Sequence, residues 1–281
     1  MNWFNHHTHS AFCDGTGTPL DFVKAALAQD FSMLGFSSHA PLPFNNSFTL
    51  KEEEVDHYRQ TIRSLSYEYA GRLEIYLAME VDFIPGMIED FRFWKNRANL
   101  DYVIGGVHLV RPQADERLWF IDGPKRETYD QGLSELFGND IRLAVRSYFD
   151  QLNQMIEGQA PDVIAHIDKI KMHNQERFFS INDLWYQAML NESLTLAKQK
   201  GCIVEVNTRG LYKGRCKDFF PGASVLKTIK ELAIPITISS DAHAPAELSG
   251  KFSEAIEAIK AAGIRELKVF RYGTWNSVVV E

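Results

Sequence analysis

Short apolar runs alternate with longer amphipathic ones along the whole chain. Runs with strand character are residues 2–9 (NWFNHHTH), 33–39 (MLGFSSH), 73–84 (LEIYLAMEVDFI), 102–110 (YVIGGVHLV), 162–167 (DVIAHI), 202–208 (CIVEVNT) and 235–241 (PITISSD), with a further candidate at 267–271 (LKVFR). Between them the apolar spacing lengthens to that of helices. The first helix carries its own punctuation: Thr18 as N-cap, Pro19 at the first helical position, then Leu20, Val23, Ala26 and Leu27. Other helices are expected near 51–71, 86–98, 140–157, 182–200, 222–233 and 252–262. This alternation reads as repeated βα units around a parallel sheet. Seven or eight such units in 281 residues point to a closed α/β barrel, with residues 1–281 expected to form one domain.

Two stretches break the rhythm. Residues 111–138 (RPQADERLWFIDGPKRETYDQGLSELFG) and 169–180 (KIKMHNQERFFS) read as polar-aromatic loops after the fourth and fifth strands. Long loops inside a compact domain are usually functional or mobile.

Composition narrows the classes. A formal net charge of -7 argues against a nucleic-acid surface, while leaving room for a local basic pocket around one small phosphorylated ligand. Neither a leader-type apolar segment nor an apolar run of membrane length is visible. The three cysteines, Cys13, Cys202 and Cys216, lack zinc-ribbon spacing, and a reduced cytoplasmic setting is expected.

Metal-capable side chains fall at strand ends. His7 and His9 end the first strand, His39 the second, Glu80 lies late in the third and His108 late in the fourth. His166 follows in the fifth, and Asp241 with His243 leaves the seventh. In a βα barrel these ends converge on one rim, where such folds place their active sites. Residues two apart on a strand share a face at roughly 6.6 Å, so His7 and His9 can serve one ion while His6 and Thr8 point away. Asp241 can reach the same ion, and Glu80 can bridge two, since each carboxylate oxygen offers lone pairs. Imidazole and carboxylate donors without thiolate suit hydrolytic zinc, iron or manganese. Taken singly, a histidine such as His39 or His166 is more often a hydrogen-bonded core residue, and Asp14 in CDG fits a turn as well as a ligand. Cys13 reads as a small buried apolar residue, His57 as a helix-surface residue and His173 as a loop residue.

The VEVNTRG segment adds Glu205, Asn207 and Arg209 at alternate positions aimed at the same rim. They read either as substrate-binding residues, with Arg209 gripping phosphate bidentately, or as a buried charge network. Lys169, Lys171 and Arg177 are further phosphate candidates in the loop after AHID. Asp82 and Asp168 could orient ligand histidines.

As an ordered set, HTHSAFCDG, SSH, the glutamate of AMEVD, GGVH, AHID and SSDAH resemble the polymerase and histidinol phosphatase (PHP) family over essentially the whole chain. The length resembles its histidinol-phosphate phosphatase branch. The resemblance implies a distorted TIM-like (β/α)7 barrel with three divalent metal ions at the C-terminal rim. By position, His7, His9, Glu80 and Asp241 would hold the first ion, Glu80, His108 and His166 the second, and Asp14, His39 and His243 the third. Asp14 departs from the pattern, since relatives often carry a histidine there.

The expected activity is hydrolysis of a small phosphate monoester, L-histidinol phosphate, by hydroxide bridging two ions. Arg209 would stabilise the transition state, and His243 or Asp168 would protonate the leaving alcohol. A protein-tyrosine or nucleotide phosphatase of the same family needs the same rim. A small closed pocket favours histidinol phosphate, and an open groove a phosphoprotein. Amidohydrolase barrels share the opening HxH and the late aspartate but usually bridge their metals with a modified lysine, where Glu80 stands here. A structural metal-binding protein would normally use one closed site of four ligands.

Overall fold

The computed structural model describes residues 3–113 and 115–280. Among the described residues there are eleven strands: β1 Trp3–Asn5, β2 Phe31–Phe36, β3 Glu74–Asp82, β4 Tyr102–Gly106, β5 Leu109–Val110, β6 Trp119–Phe120, β7 Val163–Ile164, β8 Ile203–Asn207, β9 Ile236–Ser239, β10 Glu266–Arg271 and β11 Thr274–Val279. Seven of them form one sheet in the order β1-β2-β3-β4-β7-β8-β9, all paired in parallel. The two edges meet beyond the ends of β1 and β9. There His9 N–H donates to the Ala242 carbonyl at 2.8 Å, and Ala242 N–H to that of His7 at 3.3 Å. The fold is a distorted TIM-like barrel, drawn shut by backbone bonds among the residues that flank its rim.

Helices cover the outside. The first, Pro19–Ala28, begins as its sequence predicts: Thr18 Oγ1 accepts from Asp21 N–H, and Asp21 accepts from Thr18 N–H at 2.8 Å. This reciprocal cap satisfies two donors that the helix start leaves open. Thr18→Ala is expected to cost about 1 kcal/mol, lowering a thermal midpoint by about 2–4 °C. Helices Val55–Glu68, Phe91–Arg97, Leu184–Lys200, Leu226–Glu231 and Phe252–Ala261 fall within the expected segments, and Ile141–Gln159 runs two residues past its expected end at 157.

Three local expectations are corrected. Segment 111–138 is loop only in part: β6 pairs antiparallel with β5, and Arg126–Phe137 is helical. Tyr129, Leu133 and Phe137 are buried at a spacing of four, a single apolar stripe among polar residues that masks the helical period. Trp119 anchors the unit, fully buried, packing on Tyr129 and Phe137 and donating its indole N–H to the Tyr129 carbonyl at 2.9 Å. Gly132 permits this, because a Cβ there would stand 2.1 Å from the indole.

Segment 169–180 likewise holds a short helix, Lys171–Asn174, and His173 is buried in it, its Nε2 2.7 Å from the Gly123 carbonyl. The run at 267–271 lies in β10, which pairs with β11 in a hairpin outside the barrel sheet. That hairpin grips β1's neighbour: Phe270 N–H donates to His6 Nε2 at 3.0 Å, and Trp275 packs on the His6 ring. His6 thus faces away from the rim, and burial, with Arg271 nearby, pushes its pKa down to about 3. His57 lies exposed on its helix.

Candidate metal centre

The strand-end donors converge in three groups around Glu80. In the first, His7 Nε2 and His9 Nε2 stand 3.1 and 3.4 Å from Glu80 Oε2, and 3.9 and 3.4 Å from Asp241 Oδ1. The second joins the other oxygen of Glu80, with Oε1 3.0 Å from His166 Nε2 and 3.5 Å from His108 Nε2, those nitrogens being 3.0 Å apart. In the third, Asp14 Oδ1 lies 3.2 Å from His243 Nε2 and 3.9 Å from His39 Nε2. Zinc bonds nitrogen and oxygen at about 2.0–2.2 Å, so ligand atoms around a tetrahedral ion lie about 3.3–3.5 Å apart. The separations bracket that value.

Two further observations fit cations here. His7 Nε2, His9 Nε2 and His39 Nδ1 are buried and have no hydrogen-bond partner among the described residues. Such orphaned acceptors are costly unless something fills the space between them. Burial works against charge on Glu80 and Asp241, yet the imidazoles around Glu80, and His7, Arg209 and Lys169 around Asp241, outweigh it and hold both carboxyls well below their ordinary range. Burial and neighbouring histidines push His9 well below its ordinary value, which keeps its lone pairs available. Two of the grouped residues sit in sparsely populated backbone regions, His166 at φ 25° and Asp241 at φ 50°, a strain that functional sites commonly store.

Supporting carboxylates fix the imidazoles from behind. His7 Nδ1 lies 3.0 Å from Glu205 Oε2, leaving Nε2 to face Glu80. Asp82 Oδ2 lies 3.3 Å from His108 Nδ1, and its Oδ1 accepts the His108 backbone N–H at 2.9 Å. A carboxylate behind the imidazole selects the tautomer whose other nitrogen can ligate. Cys13 Sγ stands 3.5 Å from His9 Nδ1, and burial pushes its thiol up to about 12, so it is a neutral neighbour.

The remaining sequence candidates separate. Arg209 lies on the wall of the cavity above Glu80, its Nη1 2.7 Å from the Asp241 carbonyl and 2.6 Å from His243 Nδ1. Lys169 is buried on the same wall, its Nζ 3.3 Å from Asp122 and 3.8 Å from Asp241. Glu205 and Asn207 are corrected: both are fully buried beneath His7, with Asn207 Nδ2 donating to Glu205 Oε1 at 2.6 Å and to Asp241 Oδ2 at 3.2 Å. They form the buried network and not a wall for substrate.

Asp168 is corrected as well, since it meets Lys171 Nζ at 2.6 Å and Gly222 N–H at 3.2 Å and supports no ligand histidine. Arg177 is tied to Asp130 at 2.7 and 2.8 Å and to the His173 carbonyl, away from the cavity. The sequence reading missed Asp122, Glu247, Phe48 and Phe120, all of which line the cavity of about 430 Å³. None lies at the end of a barrel strand, and the only signal for Asp122 and Phe120 was their place in a stretch that reads as a long loop after the fourth strand.

Comparisons with known proteins place the chain among relatives of the same fold. A Deinococcus radiodurans protein named "Probable histidinol-phosphatase" is 28% identical over 273 residues, covering 95% of each chain. The structure of HisK from Listeria monocytogenes superposes with a TM-score of 0.79 at 24% identity, covering 90% of this chain and 99% of that one. HisK from Lactococcus lactis, solved with zinc, L-histidinol and phosphate, gives 0.67 at 22% identity, covering 97% and 98%. Residues 5–209 match the model of the PHP domain, a span that reaches from the opening histidines to Arg209, and the chain belongs to the PHP family.

Proposed function

We propose that this chain is a divalent-metal-dependent phosphomonoesterase that hydrolyses L-histidinol phosphate to L-histidinol and phosphate. The observation that carries this reading is one small cavity in which grouped imidazole and carboxylate donors face Lys169 and Arg209. Relatives that match along almost their full length bear the name of this activity. In this reading His7, His9, Glu80 and Asp241 hold one ion, Glu80 with His108 and His166 a second, and Asp14, His39 and His243 a third. Zinc, manganese and iron all suit these donors.

Divalent ions at such a site neutralise phosphoryl charge and generate a nucleophile from water near neutral pH. Lys169 and Arg209 add fixed cations where the phosphoryl oxygens gain charge in the transition state. Arg209 is held by the Asp241 carbonyl, so its free N–H groups are already oriented. Of the two proton donors that the sequence suggests, only His243 lines the cavity. A volume of about 430 Å³ suits a small alcohol better than a folded phosphoprotein surface.

The test is turnover of L-histidinol phosphate against a phosphotyrosine peptide and nucleoside monophosphates, with zinc, manganese or iron supplied. A kcat/KM for L-histidinol phosphate about tenfold or more above the others is the expected result. Preference for the peptide would move the chain to the phosphoprotein class. Arg209→Ala is expected to weaken inhibition by inorganic phosphate by about ten- to a hundredfold with metal content unchanged, measured by competition kinetics and elemental analysis.

A further inference from the structure

Away from the metal centre, the terminal hairpin carries a six-residue strand that is paired on one side only among the described residues: β11 forms the outer edge of the β10–β11 sheet. The turn decides which of its main-chain groups face outward. Tyr272 and Gly273 both have positive φ, 54° and 77°, in a two-residue connection, so Arg271 and Thr274 exchange both their main-chain bonds. The exchange recurs at every second pair, Val269 with Asn276 and Leu267 with Val278. Two bonds outside the ladder keep the same phase. Val280 N–H donates to the Arg265 carbonyl at 2.9 Å, in step with this series, while Phe270 N–H, in the alternate series, leaves the hairpin for His6. Trp275, Ser277 and Val279 therefore turn their N–H and C=O groups away from β10, to the side where no described strand lies.

Proteins normally guard such an edge with lysine, proline or a bulge, because it is a template for another strand. β11 has none of these. From Thr274 to Val280 the sequence TWNSVVV holds no charge, no proline and no glycine, and its register with β10 runs without a bulge. Val279 is 62% exposed. Trp275 anchors the strand, its ring 4.9 Å from that of His6, 5.4 Å from Tyr102 and 5.3 Å from Phe270. The edge is thus held in place and ready to pair.

We infer that the open edge of β11 pairs antiparallel with β11 of a second copy of this chain, about a two-fold axis at Ser277. This goes beyond the phosphomonoesterase reading and does not depend on it. A strand laid against itself must be self-complementary, and charge is what most often forbids it. Here Ser277 meets the partner's Ser277 and Trp275 meets the partner's Val279, with no charge set against its own kind along the seam. The three facing pairs supply about six main-chain hydrogen bonds. Each exposed Val279 gains an aromatic neighbour across the seam, a favourable cross-strand pairing.

Sedimentation of the full chain over about 1–500 µM, where small interfaces populate, is expected to show a monomer–dimer equilibrium. Ser277→Pro is expected to weaken the dimer by about tenfold or more in Kd, with circular dichroism and the thermal midpoint close to wild type. It removes only an outward N–H, the one place where an edge strand accepts proline. A second variant reads the register without relying on affinity. Across the axis the two Ser277 Cα atoms would lie about 5.5 Å apart, within disulfide reach, whereas the two Val279 Cα atoms would lie about 14 Å apart. Under mild oxidation Ser277→Cys is expected to form a disulfide-linked dimer at least about tenfold faster than Val279→Cys, although position 279 is the more exposed. A wild type that stays monomeric throughout, a dimer indifferent to Ser277→Pro, or equal crosslinking at the two positions overturns the pairing.

Discussion

Replacing Glu80 with alanine should lower turnover by at least about 10³-fold and strip metal from the protein while the barrel stays folded. Glu80 is the one side chain that faces both the His7–His9 pair and the His108–His166 pair, one oxygen toward each. Its backbone pairs with Ile104 in the β3–β4 ladder, and that pairing does not need the carboxylate. Glu80→Gln separates charge from shape, because it keeps the volume and one acceptor oxygen but loses the negative charge and bridging capacity. Elemental analysis, circular dichroism and phosphate release on the same samples make the check. Full activity in metal-free Glu80→Ala protein would defeat a metal-dependent mechanism.

The second large effect is expected at Glu205. Truncation to alanine removes the acceptor of His7 Nδ1, of the Asn207 amide and of the Ser239 hydroxyl, all in a fully buried setting. Leaving such a network without its charged centre should cost about 3–5 kcal/mol of stability. Loss of a carboxylate behind a ligand histidine typically weakens metal affinity by about 10–100-fold. Activity should therefore fall at limiting metal and recover as metal is added, with KM for the ester at saturating metal little changed. Metal titrations with kinetic readout and thermal melts test this. A raised KM at full metal occupancy would instead return Glu205 to the substrate wall.

Glu205 also shows what a sequence can and cannot disclose about such a site. Alternation along one strand puts Glu205 and Asn207 on the inward face, and that much was legible. Their depth was not, because height above or below the rim depends on register against neighbouring strands, here Glu205 beside Thr237 and Asn207 beside Ser239. His7, Glu80, His108 and Asp241 were legible because each carries a ligand-type side chain within two residues of a barrel strand's end, in an ordered set of motifs. The barrel strands themselves were readable for the same reason, each being a compact apolar run.

Asp122 and Phe120 were out of reach for a different cause. Their positions follow from Trp119 seating itself on Tyr129 and Phe137, a tertiary contact with no periodic signature. Arg177 and Asp168 failed the other way: charged residues near a motif found partners close by, Asp130 and Lys171, and turned from the cavity.

The grip of the terminal hairpin on His6 carries a consequence for how the protein comes into being. Phe270 is 264 positions from the imidazole it binds, and the neighbouring His7 must find Asp241 across nearly as long a stretch. Contacts that distant form late, after the entropy of closing very large loops has been overcome. During synthesis the opening histidines leave the ribosome long before Asp241 and His243 exist, so the two donor groups that contain these residues cannot close until the last barrel strand has been translated. A nascent chain released between residues 243 and 270 would carry every one of these donors and lack the hairpin that grips His6 beside its first strand.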